Sequence, residues 1–126
     1  MSSPGGTSSA THEFLLEFVR VEDDRVELDD EFADSPVLTK EFAERSGELL
    51  GRFLVLRRRL HEFGMPAALL AEVRTLLDYE ILTVGYLRDA AERGLPPQRR
   101  RTAGTDADIR QRVRRLADQA NPSAKP

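Results

Sequence analysis

Residues 35–93 read SPVLTKEFAERSGELLGRFLVLRRRLHEFGMPAALLAEVRTLLDYEILTVGYLRDAAER, and this stretch decides the fold. Ser35-Pro36 has the chemistry of a helix start, because the hydroxyl can cap free N–H groups and proline gives up a hydrogen bond that would be missing anyway. Leu38, Phe42, Leu49, Leu56, Leu60 and Phe63 then recur at helical spacing, interrupted only by Arg45. The spacing predicts a long amphipathic helix over 36–63. Gly64-Met65-Pro66 ends it and opens a second, since Gly64 can take the left-handed closing conformation and Pro66 can begin a helix. Over 66–93 the stripe is Leu70, Val73, Leu77, Val84, Leu87 and Ala91, with Gly94 and Pro96-Pro97 beyond its end. At ~1.5 Å per residue each helix is about 40 Å long. So short a turn makes the pair antiparallel, a helical hairpin.

Two helices cannot cover both stripes together with Leu50, Leu54, Leu69, Leu76 and Ile81, which flank them. The expected architecture is therefore all-α: a long antiparallel hairpin completed to a three- or four-helix bundle by the terminal segments or by dimerisation. Residues 11–33 place Phe14, Phe18, Val21, Leu28 and Phe32 on one helical face, broken by Arg25. The same segment also reads as a β-hairpin at about residues 13–29, which would make the protein α+β. Helix is the better reading, because the intervening Glu-Asp-Asp-Arg turn lacks the glycine or asparagine of tight hairpins. Thr105 to Asp108 resembles a capping box ahead of Ile109, Val113, Leu116 and Ala120, so a short basic amphipathic helix is expected over 105–120. A disordered leader over 1–10, an Arg-rich linker over 94–104 and a disordered tail over 121–126 complete the plan.

Charge is sorted along the chain. Residues 1–35 hold ten acids against Arg20 and Arg25, residues 36–93 balance nine acids with nine bases, and residues 94–126 hold seven arginines and Lys125 against Asp106, Asp108 and Asp118. Opposite poles steer encounter and set register, so partners or self-contacts chosen by electrostatics are expected. If the two poles meet each other, the contact is a surface one, screened over about 8 Å at physiological salt and therefore releasable. The chain has no cysteine, which removes disulfides and thiolate chemistry. Its first residues have neither the basic nor the apolar region of a signal peptide, and no apolar run reaches the ~18 residues of a membrane span. A cytoplasmic location is expected.

Three groups of residues stand out. Ala43, Gly47, Gly51 and Val55 fall four apart on one flank of the first long helix, and two interior glycines suggest close approach of another helix. Glu80 interrupts one apolar stripe, and Arg45 and Arg52 lie about one turn from it across the hairpin, so a structural ion pair that fixes register is expected between Glu80 and one of them. Arg99, Arg100, Arg101, Arg110, Arg112, Arg114 and Arg115 form a basic C-terminal segment suited to an acidic partner. Phosphate contact is the alternative, but no aromatic residue follows Gly94 to stack on bases. His12 and His61 lack the Glu-x-x-His spacing of a helical metal site, and no phosphate loop or nucleophile elbow is present.

These features predict a non-enzymatic interaction module, a regulator or adaptor with no cofactor, metal or catalytic residue. Its expected partner is a protein, with a second copy as one candidate. The alternatives are a nucleic-acid-associated protein using the Arg-rich tail, or an acidic mimic occupying a basic site on another protein.

Overall fold

The computed structural model describes residues 9–97 and 103–122. They form four α-helices and no strand: α1 (Ser9–Glu31), α2 (Lys40–Arg59), α3 (Ala67–Arg93) and α4 (Ala103–Ala120), with a single 3-10 turn, Leu60–Glu62, after α2. The β-hairpin considered for residues 13–29 is thus replaced by the middle of α1. Ser9 and Ala10 open that helix, while the rest of the leader lies outside the described residues.

The hairpin forms where its turn chemistry places it. Gly64 and Gly94 are the two described residues with positive φ, at 60° and 65°, a conformation that a side chain would strain: Gly94 caps α3, while α2 ends at Arg59, four residues short of the expected 63, and Gly64 turns the chain after the 3-10 segment that follows. The start of α2 differs from the expectation. Thr39, not Ser35, is the cap, and its Oγ1 accepts a hydrogen bond from the Phe42 amide at 3.2 Å. The reason is Leu38, which is buried among the core residues and so holds the chain in a crossing segment through 35–38 before the helix begins. Glu41 in the first turn and Arg57 to Arg59 in the last turn both suit the helix dipole.

Each neighbouring pair is antiparallel. Phe14 meets Phe63, Phe18 meets Phe53 and Phe32 meets Phe42, with ring centroids 5.1, 6.1 and 5.4 Å apart, and these three pairs lay α1 along the hairpin. Arg57 and Asp78, 2.7 Å apart, fix the register of α2 against α3. On the far side of α1, Arg25 meets Asp106 while Asp23 meets Arg114, so α4 runs back along α1. α2 packs mainly on α3 and α4 mainly on α1, α1 also packs on α2, and α3 touches α4 only slightly. One apolar core is shared by all four, through Leu15, Phe18, Phe53, Leu77 and Val113 among others. Full burial of such side chains stabilises by ~1.5–3 kcal/mol each.

Candidate functional site

The most unusual residue of the core is Arg25, the largest fully buried side chain. It sits on the apolar stripe of α1, and a guanidinium removed from water needs carboxylates to offset the desolvation. Arg25 has four. Its Nε lies 2.7 Å from Glu80 Oε2 on α3, one terminal nitrogen 2.7 Å from Glu22 Oε1, and the other 2.8 Å from Asp29 Oδ2 and 3.0 Å from Asp106 Oδ1 on α4. A single side chain therefore ties together α1, α3 and α4. Burial alone would lower the Arg25 pKa, but the Glu80 and Glu22 carboxylates outweigh it and hold the guanidinium charged.

Glu22 is the counterpart. Burial pushes its carboxyl up to about 9, reinforced by the hydrogen bond to Glu80 and by that group's negative charge, with Arg25 offsetting only part of the rise. Its Oε2 is buried and has no donor within reach. A protonated Glu22 resolves both facts, because the acid supplies its own O–H and donates it to Glu80. The cluster is thus one cation, several carboxyl groups and a retained proton, with Arg25, Glu22 and Glu80 buried and Asp29 at its partly exposed edge. Such an arrangement holds register.

The sequence pointed to a buried pair at Glu80 but to the wrong arginine. Arg45 and Arg52 are about a third exposed and turn toward α1, where Arg45 pairs with Glu31 at 2.6 Å and Arg52 with Asp24 at 2.6 Å. They lie beside the core stripe of α2 and not on it, so neither faces Glu80. Their guanidinium groups, with Asp24 and Glu48, line an open cleft of about 180 Å³ between α1 and α2. The signal that could have found the true partner was present: Arg25 and Glu80 each interrupt an otherwise apolar stripe, with opposite charges.

The small-residue flank is also not a helix–helix seam along its length. Ala43 is buried, but a Cβ on Gly47 would meet Arg88 Nε at 3.0 Å, and one on Gly51 would meet nothing within 4 Å. Gly47 makes room for the Arg88 side chain, and Gly51 and Val55 face outward, Val55 with 46% of its surface exposed. Of the basic segment, Arg99, Arg100 and Arg101 lie outside the described residues. Arg110 and Arg114 approach Asp23 at 3.9 and 2.9 Å, Arg112 lies 3.6 Å from Asp108 along its own helix, and Arg115 is exposed. The acidic and basic poles therefore meet, across α1 and α4.

A second feature was legible in the sequence only at Leu54. The side of the hairpin turned away from the core exposes Leu54 and Val55 on α2 and Tyr79, Leu82 and Tyr86 on α3, with Leu82 at 75%. No described helix is long and apolar enough to cross a membrane. Comparison with family models, with curated proteins and with solved structures finds no match.

Proposed function

We propose that this chain is a non-enzymatic protein-interaction module, a cytoplasmic regulator or adaptor that presents the outer face of its α2–α3 hairpin to a protein partner. The observation that carries the reading is the apolar outer face itself, where Leu54, Val55, Tyr79, Leu82 and Tyr86 are exposed together on one side of the hairpin. The interior supports it, because the buried charges are spent on one another and tie α1, α3 and α4 together behind that face. The basic segment is a subordinate element in this reading: Arg110 and Arg114 are engaged by Asp23, leaving Arg112 and Arg115 on the outer surface of α4.

A photo-crosslinking side chain placed at position 82 and, as control, at the exposed position 27 of α1 tests this in the native cells. Discrete protein adducts at 82 and none at 27 are expected. Adducts equally abundant at both positions, or absent at 82, would overturn the reading.

A further inference from the structure

The outer hairpin face carries more than exposed carbon. Its middle holds Leu54 and Gly51 on α2 and Leu82 and Gly85 on α3, which stand at one level because Arg57 lies beside Asp78 and Gly47 beside Arg88. A Cβ on either Gly51 or Gly85 would touch nothing in the chain, so each glycine leaves an open notch in the surface next to a protruding leucine. Notch and knob side by side form a surface that fits another of its own kind.

The charges around this centre are arranged with the same symmetry. Toward one end of the face α2 carries Glu44, and toward the other end Arg58. On α3, Asp89 lies at the acidic end and Arg74 at the basic end. All four are exposed. Glu44, Arg58 and Arg74 enter no ion pair among the described residues, while Asp89 also holds Arg93 at 3.3 Å. Turning a second copy over about an axis that lies in the face, perpendicular to the helices, sets α2 against α2 and α3 against α3. Arg58 of one copy then falls within about one helical turn of Glu44 of the other, and Arg74 falls near Asp89. An axis parallel to the helices would instead set acidic end over acidic end. In an isologous interface every contact occurs twice, so this one arrangement satisfies both ends at once.

On these grounds we infer that the outer α2–α3 face docks on the same face of a second copy, antiparallel, about a two-fold axis through the level of Leu82. The inference rests on the proposed function and names the partner as this same chain. The face is about 30 Å long and two helices wide, which supplies close to the ~800 Å² per partner of a standard interface. It therefore has the size of a standard specific interface.

The full chain, purified, should sediment as a dimer at tens of micromolar and as a monomer once Leu82→Arg places two like charges across the axis. Since Leu82 is largely exposed, that variant keeps its helical circular dichroism and melting temperature, so loss of the dimer is not loss of the fold. The register is read separately. Glu44→Arg should weaken association at least tenfold, and Glu44→Arg with Arg58→Glu should restore it. Because the chain has no cysteine, Leu82→Cys with a short bis-maleimide should give a covalent dimer, whereas Glu27→Cys should not. A wild-type monomer at 100 µM, or a dimer indifferent to Leu82→Arg, would overturn the inference. Failure of the charge swap to restore would overturn the antiparallel arrangement. A monomeric chain that still crosslinks in cells through position 82 to a protein of another mass would overturn self-docking while leaving the interaction module standing.

Discussion

At the scale of single residues the buried cluster governs how stability depends on pH. Glu22 keeps a proton in the folded state up to about pH 9 and loses it near 4.5 when unfolded, so between those values the folded chain binds more protons than the unfolded one. Stability contributed by this group is then fully present below pH 4.5 and is lost as pH rises toward 9, with a slope approaching ~1.4 kcal/mol per pH unit. Urea denaturation across pH 5 to 9 should show this decline, and Glu22→Gln, an uncharged isostere of the acid, should flatten it. An unchanged slope in the variant would assign the proton elsewhere. Arg25→Met should cost ~3–5 kcal/mol at pH 7, because it strands carboxyl groups in the core, and adding Glu80→Leu should recover part of the loss. Equal melting temperatures of Arg25→Met and the parent would refute the account. How far this site was legible is instructive. That Arg25 and Glu80 interrupt apolar stripes is written in the periodicity, but which charge meets which depends on how α1 lies over the hairpin, and the distance along the hairpin alone favoured Arg45 and Arg52. The pairing needed the aromatic contacts of Phe14, Phe18 and Phe32, which no local spacing specifies.

At the scale of elements, the features set by local chemistry are the ones the sequence shows. Gly64 and Gly94 take positive φ, so the turn between α2 and α3 and the end of α3 fall where expected, although α2 gives way to a 3-10 turn after Arg59, and replacing either glycine by alanine should cost ~1–2 kcal/mol through the left-handed backbone penalty. The start of α2 was not legible in the same way, because Ser35 and Thr39 are both competent caps and the burial of Leu38 chooses between them. Thr39→Ala should therefore lower stability by ~1 kcal/mol, whereas Ser35→Ala should stay within ~0.5 kcal/mol. Thermal melts of the two variants decide it, and the reverse order would move the cap back to Ser35. Gly51 was legible only in part: small residues at four-residue spacing describe a flank of α2, and the packed structure adds that within the chain this flank faces outward at Gly51. With nothing near its Cβ, Gly51→Ala should raise monomer stability by up to ~1 kcal/mol, measured at concentrations too low for association.

At the scale of the whole molecule, the sorting of charge looked like a device for a releasable tail, and the structure assigns it a different weight. α4 buries Ile109, Val113 and Leu116, with at most 6% of each exposed, and its Asp106 reaches the buried Arg25. Burial of three such side chains supplies ~1.5–3 kcal/mol each, whereas the exposed contact of Asp23 with Arg114 contributes ~0–1 kcal/mol. The apolar term wins by several-fold, so opposite charge guides α4 onto α1 while burial keeps it there. Salt should then have little effect on the docked helix. At 1 M salt the screening length falls to about 3 Å, which removes the surface attraction and leaves the interior pair and the apolar contacts in place. Amide hydrogen exchange across residues 105–120 should accordingly be nearly the same at 0.05 and 1 M salt, and should rise toward unprotected rates in Val113→Asp, which puts a charge where no side-chain surface is exposed. Arg25→Met should loosen the same amides from the N-terminal end of α4 first, because Asp106 loses its buried partner there. Exchange that rises with salt and is indifferent to Val113→Asp would return α4 to the status of a surface tail held by charge alone.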